Sequence, residues 1–241
     1  MLLVASLDEG EYTMEKKNSI KMTMDERLNT IRAGVLGAND GVLTVVGVLF
    51  SVAAATNNHF AIFIAGLSDL LACALSMASG EYASVSSQTD SEKVVVAKEQ
   101  QLLNDDIAGQ KRIVTNFYVD RGVSQHTAEK IADELLTKKP LETVLSVKYD
   151  FTLGHYMNPW SAAWSSLFSA AIGGIFPLAA LVFVTGHYQF VATIGATVFA
   201  VGLTGFLSAK ISNGLIKRAI IRNIIIGLVT VAIHFGIGKL F

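Results

Sequence analysis

Hydrophobic positions in this chain gather into five long runs, and the links between the runs hold most of the charged residues. Each run is about 20 residues long, and a helix of that length can cross the roughly 30 Å hydrocarbon core of a bilayer. The pattern therefore predicts an all-α integral membrane protein with five transmembrane helices. The predicted spans are Ala33–Ala55, Phe60–Ser86, Trp160–Thr185, Phe190–Ala209 and Asn223–Phe241.

The long link between the second and third runs has the pattern of a small helical insert. Ser124 is a suitable N-cap, and apolar residues recur after it at three- and four-residue spacing. Pro140 fits the first turn of a following helix, which we expect to reach about Leu153. A longer helix from about Ser91 to Phe117 is predicted to continue the second span, and Asp120–Gly122 is predicted to be a turn.

The distribution of lysine and arginine predicts the orientation of the chain. The links at residues 56–59 and 186–189 carry neither, whereas the N-terminal segment and the link around residues 210–222 carry several. Since positively charged loops stay in the cytoplasm, we expect the N-terminus, the insert and the last link to be cytoplasmic and the C-terminus to lie outside. The predicted organisation is a cytoplasmic segment at 1–32, spans one and two at 33–88, the cytoplasmic insert at 89–158, and spans three to five at 159–241.

Composition agrees with a membrane protein and narrows the classes of partner. Hydrophobic residues make up 51% of the chain and charged residues 16%, which is too apolar for an ordinary soluble domain of this length. The formal net charge is -1, so the chain lacks the excess of basic residues that would predict a nucleic-acid partner. Cys73 is the single cysteine, which excludes a disulfide within the chain.

Two aspartates, Asp40 and Asp69, lie inside runs that are otherwise almost free of charge. A carboxylate near the centre of a bilayer costs about 2.5–3.5 kcal/mol on insertion scales, and such residues usually serve a cation or proton path. Both fall on stripes of small or polar residues at helical spacing, which favour the interior of a helix bundle. The stripes are Gly37, Asp40, Thr44, Gly47 and Ser51 in the first span, Gly66, Asp69, Cys73, Ser76, Gly80 and Ser84 in the second, Ala162, Ser166, Ser169, Gly173 and Pro177 in the third, Gly195, Gly202 and Gly205 in the fourth, and Gly227, Thr230, His234 and Gly238 in the fifth.

Met77 flanks the second stripe, about two turns beyond Asp69. Aspartate oxygen together with methionine sulfur suits a borderline ion such as Fe2+ better than Mg2+ or Ca2+, which prefer oxygen alone. A methionine in a span is nevertheless more often a packing residue. His234 is likewise expected to be a hydrogen-bonded packing residue rather than a ligand.

Several motifs of the chain resemble the vacuolar iron transporter family. They are Asn39-Asp40-Gly41, the stretch Gly66–Asp90 with its segment SMASGEY, Asn158-Pro159-Trp160 and Gly173–Leu178. The resemblance covers nearly the whole chain from about Arg27. It implies a homodimer with the ion path between the protomers, built mainly by the first span. It also implies export of Fe2+, often also Mn2+, from the cytoplasm in exchange for protons.

The resemblance also gives roles to single residues. It implies that Asp40 and Met77 contact the metal in the path, and Asp69 stands where many members of the family have glutamate. The other residues expected along this path are Thr44, Ser76 and Glu81.

The insert departs from the family pattern. In the family it binds metal through several glutamates and a methionine pair. Here Lys148 and Tyr149 replace the pair, and Thr152 stands at a glutamate position. Glu99 is the best remaining candidate for a metal ligand in the insert. We expect a retained scaffold with weakened or altered metal capture, which leaves the preference between iron and manganese open.

These features predict a transporter that exports divalent iron, manganese or both from the cytoplasm, with protons as the counter-ion and no permanently bound cofactor. An enzyme is not predicted, because the chain has no Ser/His/Asp or metal-hydrolase spacing and no GxxxxGK loop for phosphate. The alternative is a membrane sensor or scaffold, whose insert binds a protein partner and whose aspartates only hold helices together. The default location is the plasma membrane, and an organelle membrane would have the same topology.

Overall fold

The computed structural model describes residues 24–184 and 186–240. Residues 1–23 of the predicted N-terminal segment, and the predicted span ends Thr185 and Phe241, lie outside the described residues.

Helices form almost all of the described chain, and no strand occurs within residues 24–184 and 186–240. The helices are α1 (Met24–Ala55), α2 (His59–Asp105), α3 (Ile107–Val119), α4 (Gln125–Lys138), α5 (Pro140–Tyr149), α6 (Pro159–Phe183), α7 (Gln189–Ile211) and α8 (Ile216–Gly238). A short 3-10 helix, Gly186–Tyr188, precedes α7. Five of them, α1, α2, α6, α7 and α8, are long and apolar enough to cross a membrane. The predicted all-α, five-span fold is therefore confirmed.

Two spanning helices begin earlier than the hydrophobic runs predict. The first is already helical at Met24, the first described residue, and not only from Ala33, and the last begins at Ile216 instead of Asn223. The added turns of α8 contain exposed lysine and arginine side chains. Backbone hydrogen bonds sustain a helix whether or not its side chains are apolar, so an apolar run marks the membrane-crossing part of a helix and not the whole helix.

The described residues divide into two compact units, one formed by residues 24–82 with 159–184 and 186–240, and the other by Ala83–Asn158. In the first unit, α1 contacts α6, α7 and α8. Glycines bring the α1 and α6 backbones together: a Cβ at Gly37 would lie 2.6 Å from the carbonyl oxygen of Ser166. Small residues permit this close approach of membrane helices, so α1 lies at the centre of the bundle with its polar stripe enclosed.

The second unit has its own small hydrophobic core. The buried side chains of this core are Leu103, Val114, Ala132, Leu136 and Val144, contributed by α2, α3, α4 and α5. Ser124 caps α4 as predicted, because its hydroxyl accepts a hydrogen bond from the Thr127 amide.

Two predicted helix boundaries in this unit are wrong. The continuous helix from Ser91 to Phe117 is interrupted, because the Asp106 carboxylate accepts a hydrogen bond from the Gly109 amide at 2.8 Å and starts α3 as a new helix. The helix after Pro140 ends at Tyr149 and does not reach Leu153, since Asp150 adopts a left-handed conformation with φ of 52°.

Candidate functional site

Asp40 lies on the enclosed side of α1 and meets α2 through Cys73. The Cys73 thiol donates to Asp40 Oδ2 across 3.5 Å, and the Asp40 side chain is half-buried. The contact places the carboxylate between two spanning helices, as the stripe pattern predicts. Sequence reasoning placed Cys73 on the interior stripe of the second span but missed this hydrogen bond.

Asp69 and Thr44 form the next layer of the site. Thr44 lies one turn after Asp40 on α1, and its hydroxyl is beside the Asp69 and Cys73 side chains. Thr44 Oγ1 and Asp69 Oδ2 are buried atoms, and neither has a hydrogen-bond partner among the described residues. A buried polar atom without a partner costs about 1–3 kcal/mol. This position therefore offers two neighbouring oxygens to a proton, a cation or a water molecule.

His234 brings a third titratable group to this region from α8. Its Nδ1 lies 2.9 Å from the carbonyl oxygen of Thr230. Because a carbonyl can only accept, Nδ1 donates, and Nε2 of the neutral ring keeps its lone pair. The ring occupies the space left by Gly47, where a Cβ would lie 2.8 Å from both Cδ2 and Nε2. Asp40 and His234 both lie within electrostatic range of Asp69.

The sequence placed His234 on an interior stripe but gave it only a packing role. Its interior position is confirmed, since the side chain is half-buried. Its closeness to Asp69 depends on the order in which the spans pack, and a stripe within one helix carries no information on that order.

The remaining predicted path residues have different surroundings. Met77 is half-buried and packs against Cys73, Ala74 and Ala170. Glu81 is buried and accepts a hydrogen bond from Arg32 at 3.5 Å. Their places in an ion path stay predictions.

The interior stripe predicted for α2 is wrong beyond Cys73. Ser76, Gly80 and Ser84 are exposed in the single chain. The less exposed positions of this part of the helix recur every four residues instead, at Cys73, Met77, Glu81 and Val85. The row of Ser76, Gly80 and Ser84 also repeats every four residues, but it stays on the outside of the single chain. Small residue size alone therefore selected the wrong row of the helix. The path role of Ser76 stays a prediction.

The stripe of the fourth span also needs correction, because Gly195 is exposed. Threonines take the enclosed positions of α7, and Thr193, Thr197 and Thr204 are buried. Each hydroxyl donates to the carbonyl oxygen four residues earlier. The helix backbone therefore satisfies these polar groups, and threonine can act here as a packing residue.

Within residues 24–184 and 186–240, no three histidine, cysteine, aspartate or glutamate side chains come close enough together to hold one metal ion. The Asp40, Asp69 and Met77 metal contacts therefore stay predictions.

The insert contains a second carboxylate centre, around Glu99 of α2. The Glu99 side chain is fully buried, and both of its oxygens are occupied by residues of α5. Lys148 Nζ lies 2.6 Å from Oε2, and the Tyr149 hydroxyl donates to Oε1 at 2.7 Å. Lys148 also donates to Gln110 Oε1 of α3 at 3.4 Å. The hydrogen bond to Glu99 raises the pKa of Tyr149, because the neutral phenol is the form that donates. The role of Glu99 as a metal ligand stays a prediction.

Comparisons with known proteins agree with this architecture. The model of the VIT family matches residues 31–239. The chain is 30% identical over 211 residues to a protein named vacuolar iron transporter from Acanthamoeba castellanii, which covers 87% of this chain and 78% of the relative. It is 28% identical to vacuolar iron transporter homolog 2.1 of Arabidopsis thaliana, over 89% of this chain and 82% of the relative. It is 24% identical to VIT-like transporter 1b of Glycine max, over 97% of this chain and 86% of the relative.

The family match includes Asp40 and Asp69, the first spanning helix from residue 31 onward, the other four helices that can span a bilayer, and the helical insert between the second and third of the five. The predicted resemblance is thereby confirmed, and this multi-pass membrane protein belongs to the VIT family.

Proposed function

We propose that this protein carries divalent iron, manganese or both out of the cytoplasm in exchange for protons. The relatives named vacuolar iron transporters support metal as the substrate. The observation that carries the proposal is the buried Asp69 Oδ2, which lies without a partner beside Thr44 and in the electrostatic field of Asp40.

The proton coupling follows from energetics and from the chemistry of carboxylates. Moving a divalent cation out of an inside-negative compartment at 100 mV costs roughly 4.6 kcal/mol. A carboxylate binds either a proton or a metal ion, and each lowers the affinity for the other. Protonation of Asp40 and Asp69 from the far side would release the metal, and loss of the protons toward the cytoplasm would restore the site.

A homodimer with the path between protomers is part of the proposal. The exposed row Ser76, Gly80 and Ser84 on α2 supports it, since small side chains on the outside of a bundle allow close approach of another membrane helix. In such a dimer, Ser76 would face the second copy, which is consistent with its predicted place along the path.

The names of the relatives favour an organelle membrane of the vacuolar type over the plasma-membrane default. We keep the proposed orientation, with a cytoplasmic N-terminus and a cytoplasmic insert, because lysine and arginine gather in the same links. Metal leaving the cytoplasm would then enter the organelle. A carrier of this kind forms no bond with its substrate beyond coordination, so no enzymatic step belongs to the proposal.

The test is metal flux in proteoliposomes with an imposed pH gradient, with Fe2+ (under reducing conditions), Mn2+, Co2+ and Zn2+ compared. The parent chain is expected to carry Fe2+ or Mn2+ only when the gradient is present. Asp40→Asn should abolish this flux in a folded protein. The matched control is Asp90→Asn, since Asp90 is an exposed carboxylate of α2 paired with Lys93.

Flux that persists in Asp40→Asn would refute the proposed path. Absence of flux for every ion in the folded parent chain would instead favour the sensor or scaffold alternative. In that case Asp40→Asn should change the oligomeric state, measured by light scattering in detergent.

A further inference from the structure

We infer that the Lys148 ammonium group is a built-in cation of the insert, which takes the place of a bound metal ion and makes the folded insert independent of metal. This inference concerns the insert alone, and it stands whether or not the spans carry metal. Lys148 would thus be the residue that sets the affinity of the insert for divalent ions.

The first step is the burial of Glu99. The Glu99 side chain is fully buried, and the Lys148 side chain is 20% exposed. An ionised carboxylate in such a position needs a positive partner and satisfied oxygens. Lys148 supplies the charge at 2.6 Å from Oε2, and the Tyr149 hydroxyl satisfies Oε1 at 2.7 Å.

The second step is the arrangement of oxygens around the ammonium group. Glu99 Oε2 from α2 and Gln110 Oε1 from α3 both accept hydrogen bonds from Lys148 of α5. Gln110 is itself a buried polar residue. Carboxylate and amide oxygens that converge on one point are also the donors that a hard divalent cation prefers. Lysine carries a compact charge with three donors, so it can occupy such a point and join the three helices there.

The third step is competition. A divalent ion at Glu99 Oε2 would have to displace the ammonium group from a contact of 2.6 Å, and an ion at Oε1 would have to displace the Tyr149 hydroxyl and would be repelled by the ammonium group. The lysine is tethered to α5, so its effective concentration at Glu99 is high. Lys148 and Tyr149 are also the residues that replace the methionine pair expected from the family resemblance. The methionine sulfurs would be soft metal ligands, whereas Lys148 brings a cation and Tyr149 a hydrogen-bond donor. This replacement fits a site that no longer binds metal.

The experiment uses the full chain in detergent, with Mn2+ as the probe and amide hydrogen exchange of α3, α4 and α5 as the readout. This readout separates the insert from any metal site in the spans. In the parent chain, Mn2+ should leave the exchange of these helices unchanged. In Lys148→Met, the amide hydrogens of these helices should exchange faster than in the parent when metal is absent. Added Mn2+ should slow this exchange again. The affinity for Mn2+ should be at least about tenfold higher than in the parent, which corresponds to ~1.4 kcal/mol of binding free energy.

Two further variants control this test. Lys138→Met removes an exposed lysine that pairs with Glu134 on the same helix, and it should behave like the parent. Glu99→Gln/Lys148→Met removes both charges and should lose the Mn2+ effect that Lys148→Met gains. Should Lys148→Met alone fail to fold, the response of the parent to Mn2+ and its loss in Glu99→Gln still decide whether the inference is overturned.

Protection of the parent insert by Mn2+ that Glu99→Gln abolishes would overturn the inference, because Glu99 would then bind metal with Lys148 present. A folded Lys148→Met protein without any gain in Mn2+ protection would overturn it as well. Two results together support the inference. Mn2+ leaves the hydrogen exchange of the parent helices unchanged, and it slows the exchange of the same helices in Lys148→Met.

Discussion

Asp69 in the spans and Glu99 in the insert are carboxylates held among packed helices, but their oxygens have opposite surroundings. One Asp69 oxygen is buried without a partner, beside the equally unpartnered hydroxyl of Thr44. Glu99 has a lysine on one oxygen and a tyrosine hydroxyl on the other. We call the first the open site, because it has an oxygen without a partner, and the second the closed site, because side chains of the protein occupy both oxygens. The comparison teaches that burial of a carboxylate does not identify an ion site until the partners of each oxygen are known.

The largest expected effect comes from opening the closed site. Lys148→Ala should lower the free energy of unfolding by about 3–5 kcal/mol, because it leaves the Glu99 charge buried and unpaired. The measurement is denaturant unfolding followed by hydrogen exchange in the insert. Lys111→Ala is the control, since the Lys111–Asp133 pair is largely exposed and should contribute only about 0–1 kcal/mol. Equal effects of the two substitutions would mean that Glu99 and Lys148 do not form a closed site.

Replacing each carboxylate by its uncharged amide should show that Asp69 serves transport and Glu99 serves the stability of the insert. Asp69→Asn is expected to fold as well as the parent but to lose proton-driven metal flux at least about tenfold, or ~1.4 kcal/mol in the barrier. Glu99→Gln should show the reverse, with weaker folding of the insert and flux within about threefold of the parent. Both are measured in the same proteoliposome assay. If Glu99→Gln lost as much flux as Asp69→Asn, the insert would belong to the transport path.

Prediction from sequence succeeded where the signal is periodic and local. The five spans follow from apolar runs, and the Ser124 cap and the start at Pro140 follow from single residues with strong positional preferences. The resemblance also pointed to Lys148 and Tyr149 as departures. Their partner Glu99 lies 49 residues before Lys148, and no pattern along the chain gives the distance between two such atoms.

The errors have a common physical origin. The stripe through Ser76 and Gly80 was chosen by residue size, whereas burial depends on which neighbouring helix covers each row. Likewise the approach of His234 to Asp69 depends on the packing of α8 against α1. Size and polarity are properties of one residue, but coverage is a property of the assembled bundle.

The neighbourhood of the open site can be disturbed without touching a carboxylate. A Cβ at Gly47 would lie 2.8 Å from the His234 ring, so Gly47→Ala should displace the imidazole. We expect the free energy of unfolding to fall by about 1 kcal/mol, which is at the low end for an overpacked core because the ring can turn away. Thermal unfolding and the His234 titration by NMR would detect the change. Gly236→Ala is the control, as its position is open and the helix should be unaffected or slightly stabilised. An unchanged His234 environment in Gly47→Ala would show that the ring is not confined there.

The smallest expected effect concerns Tyr149, which closes Glu99 from the second side. Tyr149→Phe should lower the free energy of unfolding by less than about 1 kcal/mol, because Tyr149 is 43% exposed and water can partly replace its hydrogen bond to Glu99. The pH dependence is the sharper measurement. The pKa of Tyr149 is raised in the folded state by its bond to Glu99, so the stabilisation is complete below the pKa of an unfolded tyrosine and is lost as pH rises through the higher folded value. Stability of the parent should therefore fall more steeply than that of Tyr149→Phe at alkaline pH above about 10. Parallel curves in that window would mean that the phenol does not donate to Glu99, and the insert site would then be closed by Lys148 alone.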